Sequence, residues 1–198
     1  MFKFIKEHQL IISLIPEKSK VLDLGCGDGS LLAQLIKEKN ITGYGVDYSE
    51  EMVVRCIENG ISVIQANLDL GLVDFRELSF DYVILNQTLQ AVYKPDMLIN
   101  EMLRVGKKCI VAFPNFAFWK IRYYLLFKGK MPVMNYLPHK WYDTPNIHHL
   151  TVKDFKLYCE KQNIKISKEI YLSRGGTRGN ILPNYFAESA VFMLEKKD

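Results

Sequence analysis

Residues Val21-Leu-Asp-Leu-Gly-Cys-Gly-Asp-Gly29 place three glycines at alternate positions directly after a short, largely apolar run. A chain leaving a buried strand there must reverse sharply and come close to whatever it holds, which residues lacking a Cβ do at little steric cost. Leu31, Leu32, Leu35 and Ile36 then fall at helical spacing, so the free N–H groups of the following helix point back at the turn.

The same alternation continues. Val21–Leu24 reads as the first buried strand, Tyr44–Val46 as the second, Ile61–Ile64 as the third, Tyr82–Leu85 as the fourth and Cys109–Phe113, closed by Pro114, as the fifth. Ser49 followed by Glu50 and Glu51 reads as a helix start, and Pro95 opens a helix to about Arg104. Short apolar runs alternating with amphipathic stretches are the pattern of βαβ units and a mostly parallel sheet. Farther on, Phe116 to Phe127 reads as an aromatic helix, followed by an irregular Pro-rich segment to Asn146. Thr151-Val-Lys-Asp154 resembles a capping box. Two late strands, Ile164–Leu172 and Ala187–Leu194, flank a Gly/Arg/Asn/Pro loop and predict an antiparallel C-terminal pair. The expected fold is therefore α/β and Rossmann-like, a seven-stranded, mostly parallel sheet with helices on both faces. That terminal pair separates a methyltransferase-like sheet from a dehydrogenase-like one. With no repeats and no Pro/Ser-rich linker, residues 1–198 read as one methyltransferase-like domain, with 114–150 an inserted aromatic and basic segment.

Composition limits the class. Hydrophobic residues make up 48% and charged residues 24%, and no apolar run approaches the roughly 18 residues of a membrane span. The N-terminus does not read as a signal peptide, so a cytoplasmic location is expected. Cys26, Cys56, Cys109 and Cys159 form no C-x-x-C pair, which predicts reduced, mostly buried thiols and no metal site.

The ligand chemistry follows from spacing. A dinucleotide pyrophosphate suits G-x-G-x-x-G; here the pattern is G-x-G-x-G with Asp23 two residues upstream. A carboxylate there repels a pyrophosphate and attracts an ammonium, so the ligand reads as an amino-acid conjugate of a nucleoside. Asp47, 18 residues after Gly29, is placed to accept both ribose hydroxyls, Tyr48 to lie on the base, and Asn67 and Leu68 to reach its edge. Singly, a glycine cluster is a turn and Asp47 a helix cap; in order and register they read as one site.

Val21–Gly29 resembles the first motif of class I S-adenosylmethionine-dependent methyltransferases. Downstream, Gln87-Thr-Leu-Gln-Ala-Val92, Phe113-Pro-Asn-Phe116, Met131-Pro-Val133, Trp141-Tyr-Asp-Thr-Pro-Asn-Ile-His148 and Pro183-Asn184 resemble the MetW family of methionine biosynthesis proteins. The resemblance implies S-adenosylmethionine or S-adenosylhomocysteine as cofactor. The candidate cofactor-binding set is Asp23, Gly25, Cys26, Gly27, Gly29, Asp47, Tyr48, Asn67, Leu68 and Asn86. It also implies a role in methionine biosynthesis beside a homoserine O-acyltransferase of the MetX type, as a binding or sensing subunit. The alternative is a genuine methyltransferase on an unidentified small molecule. Two departures stand out: Ala66-Asn67 where the family has Gly-Asp, and His149 where it has Leu-Cys. An amide oxygen still accepts a hydrogen bond but without a carboxylate's charge.

No catalytic residue is compelled. Asn86-Gln87-Thr88-Leu89 is not the Asn/Asp-Pro-Pro-Tyr/Phe motif of amine methyltransferases. Gln87 is a candidate substrate or partner contact, and so are Trp141, Tyr142, Asp143 and His148; the last three, with His149, are also the nearest source of a base. Anchoring an irregular loop or meeting a partner is preferred for that cluster over catalysis. Between Met102 and Tyr142 there are eight basic residues and no acid, and Phe116–Phe127 carries six aromatics in twelve. One buried stripe cannot hide them all. Docking to a protein is the preferred reading, a lid or homo-oligomer surface the next; the cations are few for a nucleic acid or a membrane.

Overall fold

The computed structural model describes residues 2–134, 136–173, 176–179 and 181–197. In chain order the elements are α1 (Phe2–Leu14), β1 (Lys20–Leu24), α2 (Ser30–Lys39), β2 (Thr42–Asp47), α3 (Glu50–Glu58), β3 (Val63–Gln65), β4 (Phe80–Asn86), α4 (Pro95–Val105), β5 (Gly106–Pro114), α5 (Trp119–Tyr123), α6 (Val152–Lys161), β6 (Ile164–Ser173), β7 (Gly176–Arg178), α7 (Pro183–Phe186) and β8 (Ser189–Lys196). Single 3-10 turns, Leu68–Leu70 and Leu89–Ala91, follow β3 and β4.

The strands form one sheet in the order β3-β2-β1-β4-β5-β8-β6-β7. β1 to β5 are mutually parallel, and β8 inserts antiparallel between β5 and β6. Buried on both faces, β1, β4 and β5 are near-continuous apolar runs, which is why they are legible from sequence. The expected seven strands become eight, because Gly176–Arg178 folds back on the end of β6 as a short edge strand. Three residues carry too little pattern to be read as a strand. Arg174, Gly175 and Asn180 of the expected Gly/Arg/Asn/Pro loop lie outside the described residues. The third strand starts two residues later than expected, at Val63.

Two hydrophobic layers clamp the sheet. Leu98, Ile99 and Met102 of α4 and Phe155 and Cys159 of α6 fill one. Ile11 and Ile12 of α1, Leu31, Leu32 and Leu35 of α2 and Cys56 of α3 fill the other. Local chemistry fixes the helix starts. Ser49 Oγ accepts from Met52 N ahead of α3, and Thr151 and Asp154 close a complete capping box at α6. All four cysteines are buried and unpaired, and among the described residues no helix is long and apolar enough to cross a membrane.

The aromatic segment departs from expectation. The helix begins at Trp119, not Phe116, and continues from Tyr124 to Lys128 as a π-helical turn. Asn115 is the cause. It is fully buried; its Oδ1 accepts from Ala117 N (3.1 Å) and Val152 N (3.3 Å), and its Nδ2 donates to the carbonyls of Asn184 (3.2 Å) and Ala187 (2.9 Å). Residues 115–118 are held in a tight turn, Phe118 N donating to Asn115 O at 3.2 Å, burying Phe116 and Phe118 in a small satellite cluster with Ile121 and Leu137.

Candidate functional site

The order of strands reverses at β1, where the chain runs outward to β3 and then returns to β4. In open parallel sheets the crevice beyond the strand ends at such a point receives ligands. The turn Gly25–Gly29 occupies this point. Gly25 N and Cys26 N both donate to Val46 O, at 2.8 and 3.1 Å, tying the turn to the end of β2. Gly25 has φ +69° and faces the loop after β4: a Cβ there would lie 2.4 Å from Thr88 Oγ1. Gly27, at φ +57°, is the opposite case, because a Cβ there would meet nothing within 4 Å. The turn is thus braced by protein at Gly25 and open at Gly27.

Two carboxylates flank it. Asp47 Oδ2 accepts from Gly27 N (2.8 Å) and Oδ1 from Ser49 N (2.9 Å), so this side chain ties the turn to the end of β2. Each oxygen retains a further lone pair for an outside donor. Asp23 is 2% exposed, and its Oδ1 has no hydrogen-bond partner. Burial, and then the nearby Asp47 charge, push its pKa up to about 8. A buried acid in that state gains from a cation placed beside it, which restores the charge lost to desolvation.

The structure sorts the other sequence candidates. Gly29 is the N-cap of α2, at φ +74°. Cys26 lies beneath the turn, 3.8 Å from Cys56 Sγ, and Cys56 donates to Gly27 O at 3.1 Å. Burial raises both thiol pKa values, so Cys26 supports the turn and is no nucleophile at neutral pH. Tyr48 is 73% exposed beyond Asp47, a free ring face. Asn67 Oδ1 accepts from Asp69 N (3.0 Å), capping the 3-10 turn, and Leu68 is buried in the core. With its side chain in the core, Leu68 offers its backbone to a ligand. Asn86, at the end of β4, has a buried Oδ1 without a partner.

Gln87 is held at φ +55° by Glu7. Glu7 on α1 is buried, accepts from Gln87 Nε2 at 2.7 Å and from Ser189 Oγ at 3.2 Å, and so ties three distant elements together behind the site. Nothing in the sequence signals this contact. The Tyr142–His149 cluster does not assemble. Trp141 and Tyr142 are exposed and edge-on to each other, with Lys140 Nζ 5.5 Å from the Tyr142 ring centre. Asp143 is exposed in a turn, its N–H donating to Lys140 O. His149 sits edge-on to Phe116, ring centres 4.6 Å apart. His148 is pinned by its backbone, since Ile147 N and His148 N both donate to Gln90 O (2.7 and 3.0 Å). It lines a separate cavity of about 360 Å³ between α4 and α6, with Tyr158. Among the described residues, no group of three or more His, Cys, Asp and Glu side chains could hold a metal ion.

The sheet order, the glycine turn and the paired carboxylates define a methyltransferase-type Rossmann fold. A possible histamine N-methyltransferase from Thermotoga maritima superposes with a TM-score of 0.72 over 99% of this chain and 90% of that one, at 18% identity. The [4+2]-cyclase SpnF superposes with a TM-score of 0.69 over 96% and 80%, at 15% identity. These likenesses carry the fold and no more. Within that fold the chain belongs to the MetW family of methionine biosynthesis proteins, whose family model matches residues 5–194. The bifunctional methionine biosynthesis protein MetXA/MetW of Rhodopirellula baltica is 37% identical over 204 residues, 97% of this chain and 33% of that protein. The chain thus spans about a third of the length of that curated relative.

Proposed function

We propose that the turn between β1 and α2 holds S-adenosylmethionine or S-adenosylhomocysteine. We further propose that the protein serves methionine biosynthesis in the cytoplasm by associating with, and adjusting, a homoserine O-acyltransferase. The observation that carries the first part is the buried, unpartnered Asp23 Oδ1 at the end of β1, where the turn that follows has an open face at Gly27. Those two features ask for a cation on a slender chain, which the amino-acid end of the ligand supplies. Asp47 takes the ribose hydroxyls on its remaining lone pairs, Tyr48 covers the base, and Asn86 Oδ1 accepts a donor at the amino-acid end. When bound, S-adenosylmethionine would bring an electrophilic methyl group; the residues described account for holding it and leave transfer unassigned.

Support for the second part comes from family membership and from the relative whose name joins MetXA and MetW. A product of the methionine route held by a subunit of an enzyme on that route gives end-product sensing by linkage, where each ligand alters the other's affinity by the same factor. The test is acyltransferase activity of the purified two-protein complex across a titration of S-adenosylmethionine. A change in activity that disappears with Asp47→Ala supports the proposal. Activity that stays flat, in a complex shown to bind the nucleoside, removes the sensing role.

A further inference from the structure

The inference concerns the surface built by α5, the π-helical turn and the loop after it, and it rests on the association proposed above. Three stretches leave large apolar side chains in solvent. Leu126 is 76% and Phe127 67% exposed on the π-helical turn, Trp141 79% on the loop, and Ile181 and Leu182 lie open ahead of α7. α5 and α7, which adjoin the first and last of these stretches, are in contact, since the Arg122 guanidinium lies 5.5 Å from the Tyr185 ring centre. Single exposed apolar residues are ordinary, but several large ones on neighbouring segments point to an interaction surface.

Its chemistry narrows the occupant. Lys120, Arg122, Lys128, Lys130 and Lys140 rise among these residues, and no acid occurs from Trp119 to Tyr142. A second copy docking face to face would set cations against cations, a costly juxtaposition. A membrane surface favours one amphipathic helix with an apolar stripe; here the side chains come from three segments separated in sequence, of which one is helical. Several are also fixed in shape: Lys120 lies 5.5 Å from the Trp119 ring centre, Tyr123 and Phe127 rings are 5.0 Å apart, and Trp141 and Tyr142 stand edge-on. Ordered Trp, Tyr and Arg side chains are the residue types that anchor protein interfaces.

We propose that this basic, aromatic face is the docking surface for the homoserine O-acyltransferase, which presents to it an apolar centre rimmed by Asp and Glu. The relative whose name joins MetXA and MetW supports an acyltransferase as the occupant.

The experiment measures affinity between this 198-residue chain and the purified acyltransferase, by calorimetry. The variants are the pair Leu126→Glu with Phe127→Glu, Trp141→Ala, and the reversal Lys128→Glu with Lys130→Glu. Each set is expected to weaken the complex at least tenfold, added salt to weaken the parent complex, and S-adenosylmethionine binding and melting temperature to stay unchanged in all. If the parent complex forms and every variant binds within twofold, the face is wrong while the association stands. If the parent forms no complex, both fall. Loss of binding to phosphatidylglycerol vesicles in the same variants, with the protein complex intact, would overturn the proposal in favour of a membrane surface.

Discussion

Asp23 holds a proton that the unfolded chain would release. Its folded pKa of about 8 lies above the ordinary aspartate value of 3.8, with burial the main cause and Asp47 the second. Between those two values the folded state binds more protons than the unfolded one, so the group's contribution to stability falls as pH rises from about 4 to about 8 and is flat above. Asp23→Asn removes that slope. Melting of the ligand-free proteins should show the variant gaining on the parent across this window, by a few kcal/mol in order of magnitude. A gap that does not change with pH would contradict the assignment. An ammonium beside Asp23 would favour the ionised form and lower that pKa. Alternate glycines and an upstream carboxylate sufficed to bring Asp23, Gly25, Gly27 and Asp47 around one turn on paper, because strand, turn and helix are contiguous in sequence. Thr88, Cys56 and Glu7 were not legible, because each reaches the turn or its support from an element remote in the chain.

Elements legible from sequence are those whose own residues dictate them. The five parallel strands are short apolar runs, α4 starts at its proline and α6 at its capping box. The elements that eluded the reading depend on tertiary contacts. α1 finds its place by packing Ile11, Ile12 and Ile15 under the sheet and by Glu7. β7 exists because the end of β6 offers it an edge. The start of α5 is displaced because Asn115 engages the backbone that would have begun it. Glu7 gives this scale its test. Glu7→Ala leaves Gln87 Nε2 and Ser189 Oγ without this acceptor, and an unsatisfied buried group costs about 1–3 kcal/mol. Denaturant unfolding should show a loss of about 2 kcal/mol. A change within about 0.5 kcal/mol, the level of an ordinary surface substitution, would show that α1 is not anchored there.

Across the whole molecule, the two proposals fall on two surfaces. The crevice at the β1/β4 switch point is the proposed ligand site, and the basic, aromatic face lies beyond Asn115, after the C-terminal end of β5 on the same edge of the sheet. Asn115 joins them structurally: it continues from β5, fixes the first turn of α6 and orders the corner that leads into α5. An acyltransferase seated on that face would sense the crevice through packed protein, which gives the proposed regulation a physical route. All of this depends on the turn holding its ligand. The most direct measurement is calorimetric titration of S-adenosylmethionine into the parent, Gly25→Ala and Gly27→Ala. The account predicts saturable one-to-one binding by the parent. Gly25→Ala, whose Cβ would strike Thr88, should lose stability. Gly27→Ala should melt about 2–8 °C below the parent, since strain at positive φ costs about 1–2 kcal/mol, yet bind nothing, because its methyl group fills the open side of the turn. A parent that does not bind the nucleoside, or a Gly27→Ala that binds it as tightly as the parent, would contradict the account.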